Sequence, residues 1–229
     1  LTAIRNTLVM AVIIGPIGYI MSFLMAWLLN ELPPKLRTLL TVIFYAPSIS
    51  GNAYVVFRQL FSGDAYGFIN AQLLNMGLIV KPILWLADQK YMMAIVILVS
   101  LWMSLGVGFL SFIAGLQGVD RSQYEAAEVD GIKNRWQELW YITLPNMGPQ
   151  LMFGAVMSVT NALAVADVTV ALTGFPSPSY ATHTIINHLN DYGIIRMEMG
   201  YASAIAVLLF IAMISINRFV QKALRKVGT

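Results

Sequence analysis

The chain has 229 residues, of which 58% are hydrophobic and only 11% are charged, and its formal net charge is +3. A soluble domain carries about 25% charged residues, so this composition predicts an integral membrane protein and argues against a water-soluble one. The chain has no cysteine, which excludes disulfides, thiolate metal sites and a cysteine nucleophile, and no basic run indicates nucleic acid.

Five apolar stretches along the chain are long enough to cross a bilayer as helices. The second should be kinked or broken near Pro47, because proline interrupts helix hydrogen bonding. Small-residue pairs in the third and fourth, Gly106 with Gly108 and Gly154 with Ser158, predict close contacts between helices. We therefore predict an all-α, polytopic transmembrane helical bundle forming one domain over residues 1–229, with spans at about 7–29, 36–57, 91–119, 149–172 and 199–219.

The basic residues predict the orientation of these spans. Arg218, Lys222, Arg225 and Lys226 follow the last span, which places the C-terminus in the cytoplasm by the positive-inside rule. Five spans then put residues 120–148 on the cytoplasmic side as well. We expect a multi-pass protein of a bacterial-type plasma membrane, in contact with membrane lipid.

The outer loops are expected to contain short helices, one within residues 67–80 and one from Tyr180 to about Asn190. His183 and His188 lie in the second loop. Five residues on a helix separate them by about 140°, which is poor for shared ligation. We expect no metal site.

The cytoplasmic segment, residues 120–148, is predicted to be a helical hairpin. Ser122 and Glu125 have the spacing of a capping box, a helix then runs to Val129, and Asp130-Gly131 breaks it. A second helix should start at Ile132, with one mostly apolar face. Periodicity alone leaves open whether the hairpin packs on its own chain or docks a partner. The predicted apolar face consists of Ile132, Trp136, Leu139, Trp140 and Thr143.

The residues of this segment resemble the EAA loop of binding-protein-dependent ABC importer permeases. The matching positions are Glu125-Ala126-Ala127, Asp130-Gly131, Ile142 and Leu144-Pro145. The resemblance implies a coupling helix that docks in a cleft of an ATP-binding subunit. The coupling and docking residues that it implies are Glu125, Ala126, Ala127, Asp130, Gly131, Leu144 and Pro145.

The order of segments resembles the sugar and oligosaccharide permeases of that superfamily over essentially the whole chain, including Asn6-Thr7-Leu8. The family usually has six helices, so we expect a further helix before Leu1. Ten residues separate Gly131 from Ile142, where nine are expected. One extra residue turns a helix by about 100°. The spacing therefore does not determine which side of residues 136–141 meets the ATPase.

Polar residues in apolar spans are candidates for the solute pathway, because intramembrane polar groups usually face a partner or water. Thr160 and Asp167 are seven apart and would share a helical face. A sugar could also stack on Phe153 or Trp102. In the alternative interpretation, Thr160 and Asn161 join helices and Asp167 lies near the outer interface. The pathway candidates are Thr160, Asn161, Asp167, Ser48 and Asn52.

We predict the permease subunit of an ATP-driven, binding-protein-dependent sugar importer, working by alternating access. It should be no enzyme and need no cofactor of its own, since it lacks a phosphate-binding loop and ATP and Mg²⁺ would belong to a partner. The expected partners are two ATP-binding subunits, a second related permease and an extracytoplasmic solute-binding protein. Alternatives are a permease for glycerol phosphates, polyamines, amino acids or inorganic anions, an ion-gradient-driven secondary transporter, or a structural scaffold.

Overall fold

The computed structural model describes residues 1–50 and 53–224, and every regular element in this part of the chain is helical. The predicted all-α class is confirmed. The helices are α1 (Thr2–Asn30), α2 (Pro34–Ile49), α3 (Ala53–Leu60), α4 (Phe68–Asn75), α5 (Gln89–Met103), α6 (Val107–Gly118), α7 (Arg121–Val129), α8 (Arg135–Glu138), α9 (Leu144–Asn146), α10 (Gly148–Leu163), α11 (Asp167–Thr173), α12 (Ile185–Asn190) and α13 (Met199–Leu224).

Five stretches have the length and apolar composition of membrane spans, as the sequence predicts, if each bent pair of helices counts as one. Three are α1, the stretch Gln89–Gly118 that contains α5 and α6, and α13. The fourth span consists of the pair α10 and α11, which is bent by 43°. The second span consists of the pair α2 and α3, whose axes are bent by 87° relative to each other. Helix α2 continues through Pro47 and ends at Ile49.

Two of the breaks were not predicted. The third span was expected to be continuous, but α5 ends at Met103 and α6 begins at Val107, with non-helical backbone at Gly106. The fourth was expected to run unbroken to residue 172, yet α10 stops at Leu163 and α11 begins at Asp167. Apolar composition therefore located these spans but not their interruptions.

Helix α1 lies at the centre of the bundle and packs against α5, α6 and α10. Its buried side chains contribute to two apolar clusters. Met10 and Ile14 pack with residues of α5, α10 and α11 in one, and Phe23, Ala26 and Leu29 pack with α6 in the other. Burial of this apolar surface positions α1 between the helices that carry the polar pathway candidates.

The small residues of the third and fourth spans form helix contacts, as predicted. A Cβ on Gly108 would lie 3.6 Å from the Cα of Gly154, so α6 and α10 approach closely. Ser158 Oγ of α10 donates a hydrogen bond to the Gly15 carbonyl oxygen of α1 at 2.7 Å. These contacts bring α6, α10 and α1 together around one region.

The loops predicted to be outside contain helices, with one boundary different from the prediction. Helix α4 lies within residues 67–80 as expected, but α12 begins at Ile185 and not at Tyr180. Ser179 and Tyr180 have positive φ angles of 52° and 54°, which a continuing helix cannot accommodate. Helix α13 leaves most of its surface exposed, and Ala202 is its buried residue.

Candidate functional site

A polar cavity of about 340 Å³ lies among α1, α2, α3, α5, α6, α10 and α11. That volume is within the range of small-molecule sites. The contribution of α1 runs from Ile14 to Ser22, the middle third of a helix that spans residues 2–30. The cavity thus lies about halfway along the bundle. Its hydroxyl-bearing lining residues are Tyr19, Ser22, Ser48, Tyr54, Ser100, Ser104 and Ser158.

Both unpredicted helix breaks border this cavity. Ser104 lies between α5 and α6, and residues 164–166 lie between α10 and α11, and all of them are among the lining residues. Interrupted helices are tolerated at membrane depth where their backbone lines a cavity, because freed peptide groups then reach water or solute. The breaks and the cavity are therefore parts of one feature.

Three of the five pathway candidates lie in the cavity wall: Ser48, Asn161 and Asp167. Thr160 lies outside it, and its Oγ1 donates to the Val156 carbonyl oxygen of its own helix at 2.8 Å. The expectation that Thr160 and Asp167 share a helical face is wrong, because residues 164–166 interrupt the helix between them. Asn52 lies outside the described residues. The role of these residues in solute binding stays a prediction.

Sequence reasoning missed most of the serine and tyrosine hydroxyls of the cavity. Several of these hydroxyls donate a hydrogen bond to a backbone carbonyl oxygen. Ser22 Oγ donates to Ser104 O at 3.1 Å, and Tyr19 Oη donates to Leu151 O at 3.2 Å. Their oxygens can still accept. Ser100 Oγ is buried without a hydrogen-bond partner. Single serines in apolar runs were the available signal. Phe153 and Trp102 do not line the cavity.

The charge of the cavity comes from one carboxylate. Asp167 is the acidic residue of the wall, and no lysine, arginine or histidine is among the described residues that line it. Asp167 and Asn161 are both exposed to the open cavity. The arrangement offers hydrogen-bond acceptors and hydroxyl donors without a fixed positive charge.

At the N-terminal end of α1, which the sequence predicts to face outward, a buried polar network ties α1 to residues 174–190. The Nδ2 atom of Asn6 donates to the carbonyl oxygens of Tyr180, Ala181 and His183 at 3.0–3.1 Å. Thr7 Oγ1 accepts from the backbone N–H of Ile185 at 2.9 Å. We name this set of contacts the outer latch. It gives a structural reason for the Asn6-Thr7 pair, which the sequence left without a role.

The same loop is fastened to α11, the helix that begins with Asp167. Asn187 Nδ2 donates to Thr169 Oγ1 at 2.8 Å, and the hydroxyls of Thr173 and Thr182 are 2.6 Å apart. All four residues are buried. Buried hydrogen bonds of this kind favour one arrangement of the segments that they join.

The hairpin that the sequence assigns to the cytoplasm contains the predicted first helix, with a different cap. Helix α7 begins at Arg121, and Asp120 Oδ1 accepts from the Ser122 backbone N–H at 3.0 Å. This hydrogen bond lowers the pKa of the Asp120 carboxyl. The predicted Ser122 and Glu125 capping box is therefore wrong. Glu125 Oε1 instead lies 3.9 Å from Arg121 Nε, one helical turn away.

The Asp130-Gly131 break has the geometry of a Schellman motif. Gly131 has φ +95°, the Ile132 N–H donates to Ala127 O, and the Gly131 N–H donates to Glu128 O. Among the docking candidates, Ala127 is buried against its own chain and Leu144 is half-buried. The exposed ones are Glu125, Ala126, Asp130, Gly131 and Pro145.

The second helix differs from the prediction in its start and in its exposed side. It begins at Arg135, capped by Asn134, whose Oδ1 accepts from the Gln137 N–H at 2.9 Å. A π-helical turn, Leu139–Thr143, follows. Leu139 and Thr143 are buried as expected, but Trp136 and Trp140 are 67% and 64% exposed. The wide π turn adds a residue without a full rotation, which suits the longer spacer between Gly131 and Ile142.

Comparison with known proteins places these features in a family. Residues 8–227 match the binding-protein-dependent transport system inner membrane component family. The chain belongs to this family. The predicted recognition as an ABC importer permease is confirmed, and the family is a membrane component of transport systems and not a catalytic subunit.

Individual permeases of this family are similar along most of the chain. The lactose transport system permease protein LacF of Rhizobium radiobacter is 31% identical over 98% of this chain and 76% of its own length. The arabinooligosaccharides transport system permease protein AraP of Bacillus subtilis (strain 168) is 28% identical over 85% of this chain. This chain covers 62% of that protein.

A solved structure supports the permease fold. A bacterial ABC transporter involved in the import of the acidic polysaccharide alginate superposes with a TM-score of 0.83, covering 100% of this chain and 79% of that one at 24% identity. At this identity the similarity establishes the fold of the permease. The inner membrane family and the long apolar helices together make this a multi-pass plasma membrane protein.

Proposed function

We propose that this permease subunit imports neutral sugars or short oligosaccharides by alternating access, with the cavity around Asp167 as part of the solute pathway. The observation that carries the proposal is the cavity wall itself, where a carboxylate, an amide and seven hydroxyl-bearing residues surround about 340 Å³. Sugars present many hydroxyl groups, which need acceptors such as Asp167 and Asn161 and donors such as the hydroxyl of Tyr54. The sugar-transporting relatives LacF and AraP support the same solute class.

The charge of the cavity favours neutral solutes over anionic ones. Glycerol phosphate permeases are also similar to this chain, with UgpA of Agrobacterium fabrum (strain C58 / ATCC 33970) 28% identical over 77% of it. Phosphate recognition usually employs arginine, lysine or helix N-termini. A wall that carries Asp167 and no basic residue among its described members opposes a phosphate by like-charge repulsion.

The proposed assembly places α7 in a cleft of an ATP-binding subunit, where ATP and Mg²⁺ are bound. The exposed residues Glu125, Ala126 and Asp130 would form this contact, and Gly131 would hold the end of α7 in shape through its positive φ. A second permease and an extracytoplasmic solute-binding protein complete the importer. The C-terminus faces the cytoplasm, in agreement with Arg218 and Lys222 near the end of α13.

Uptake by the reconstituted importer tests the solute class. Proteoliposomes containing the complex would be offered lactose, an arabino-oligosaccharide and sn-glycerol 3-phosphate, each with ATP inside and the solute-binding protein outside. We expect uptake of a neutral sugar that falls at least about tenfold in Asp167→Ala, on the scale of one lost hydrogen bond to a charged group. Uptake of glycerol phosphate alone would contradict the proposal.

A further inference from the structure

Helix α1 connects the cytoplasmic hairpin with the cavity and the outer latch. Its 29 residues form one helix about 43 Å long. Glu31 caps the end that meets the hairpin, Tyr19 and Ser22 line the cavity, and Asn6 holds the outer loop. A displacement of one end of such a helix therefore also moves the residues of α1 that line the cavity.

The hairpin is fastened to this helix by one arginine between two carboxylates. Arg135 Nη2 lies 3.1 Å from Glu31 Oε2, and Arg135 Nη1 lies 2.7 Å from Glu138 Oε2. The guanidinium has several donors in a rigid plane, so it can hold both acids in fixed directions where a lysine would act as a point charge. Next to this cluster, the rings of Trp27 in α1 and Trp136 in α8 have their centroids 5.1 Å apart.

The other side of the hairpin is fastened to α7. Tyr124 Oη and Thr143 Oγ1 are 2.9 Å apart, and Asn146 Nδ2 donates to Gln123 Oε1 at 2.6 Å. The segment from Arg135 to Asn146 thus holds α7 through one pair of contacts and the end of α1 through Arg135. A continuous set of side-chain contacts joins the helix that carries the EAA residues to the helix that lines the cavity.

We propose that Arg135 is a positioning residue for coupling: it transmits the displacement of α7 to α1 through Glu31. This proposal rests on the proposed function, in which a partner ATPase displaces α7. The side chain of Arg135 is 61% exposed and that of Glu31 40% exposed. Exposed ion pairs add little to folding stability. The pair therefore determines how the hairpin is attached to α1 more than whether the chain folds.

A charge exchange in the assembled importer tests this role. The variants are Glu31→Arg, Arg135→Glu and the two combined, all made in a Glu138→Gln parent that serves as their reference, so that residue 135 faces only residue 31. Lys133→Gln is the control that changes one charge in the same loop. The readout is sugar molecules imported per ATP hydrolysed. We expect each single variant to lower this ratio by about two- to fivefold, the factor that corresponds to an exposed ion pair, while the combined variant stays near its parent and the control near wild type.

Glu31→Gln provides a milder version that leaves the Arg135 and Glu138 pair intact. It should lower the ratio in the same direction with the ATPase still bound. The yield of purified complex and its ATPase rate distinguish a failure of the proposed function from a failure of the proposed role of Arg135. Wild-type complex that binds no ATPase overturns the proposed function, whereas unchanged ratios in both single variants, or no recovery in the combined variant, overturn the role of Arg135.

Discussion

Gly154 lies directly against the ring of Phe112, so that a Cβ at residue 154 would overlap the Cζ and Cε1 atoms of the ring. Phe112 is almost fully buried and is held on its other sides by edge-to-face contacts with Tyr19 and Phe23. These contacts restrict the movement of the ring on two sides, and the ring also borders the cavity. This contact fixes the distance between α6 and α10 next to the cavity.

Replacement of Gly154 by alanine should destabilise the protein by about 1–3 kcal/mol, the usual effect of overpacking a filled core. The measurement is the thermal denaturation midpoint of the purified protein in detergent. Gly200→Ala is the matched control, since nothing lies within 4 Å of a Cβ at that position. Equal midpoints for the two variants would contradict the packing argument.

Two neighbouring residues give a test of the cavity. Asn161 lines it, whereas Thr160 donates to Val156 O in its own helix. We expect Asn161→Ala to lower sugar uptake by about tenfold, the effect of losing a hydrogen-bonding group of roughly 1.4 kcal/mol, and Thr160→Val to leave it almost unchanged. Initial uptake rates at equal amounts of assembled complex measure both. A stronger effect at Thr160 would assign the pathway to another face.

The outer latch should depend on Asn6. Asn6→Ala removes the two amide N–H donors that serve three carbonyl oxygens, two of these contacts being buried, and unsatisfied buried groups cost about 1–3 kcal/mol. Hydrogen exchange of residues 174–190 should become faster by the corresponding factor. Asn75→Ala, at an exposed position of α4, is the control. Unchanged protection in Asn6→Ala would show that other contacts hold this loop.

Gly131 should be sensitive to backbone preference and not to side-chain volume. Its φ is +95°, but nothing lies within 4 Å of a Cβ there. A β-branched residue resists positive φ, whereas asparagine tolerates it better. We therefore expect Gly131→Val to reduce ATPase retention and uptake more than Gly131→Asn, a residue of comparable bulk. Co-purification of the ATPase and uptake rates measure this order, and equal losses would instead indicate direct contact at this position.

The outer loop should loosen in acid because of His183. Burial lowers the pKa of its imidazole below the ordinary 6.5, neighbouring His188 lowers it further, and Asp191 acts in the opposite direction. A histidine whose pKa is lowered in the folded state contributes stability above pH 6.5, and this contribution is lost as the pH falls through the folded pKa. Phe175 stacks on the imidazole ring of His183, and Tyr180 meets it edge-on.

Hydrogen exchange of residues 174–190, corrected for intrinsic rates, should therefore show lower protection at pH 5.5 than at pH 7.5. His183→Gln removes the titrating group, and its loop should lose most of this difference. A pH effect of the same size in the variant would contradict the role of His183.

The spans and the EAA helix were predictable because their signals are local. Apolar runs identify membrane helices from composition, and the break at Gly131 follows from the backbone that glycine permits. The cap of α7 shows the limit of such reasoning. Asp120 and Ser122 both have suitable side chains, and only the direction of the preceding chain determines that Asp120 accepts the hydrogen bond.

The cavity and the latch were not predictable in the same way, because they depend on contacts between distant parts of the chain. Ser22 and Ser104 are 82 positions apart, and Ser158 reaches Gly15 across 143. The spacing of Thr160 and Asp167 predicted a shared face that the break at residues 164–166 removes. Helical periodicity holds only while a helix is continuous, and nothing local in this apolar sequence marks its interruption.

The outer latch also has a consequence for biosynthesis. Asn6 leaves the ribosome among the first residues of the described chain, but its acceptor at His183 follows 177 positions later. At about 5–20 residues per second, that interval is roughly 9–35 s. During this time the amide of Asn6 lacks its native partners at the edge of a membrane helix. The first helix must therefore be inserted, and its polar end kept hydrated or shielded, well before the loop that completes it exists.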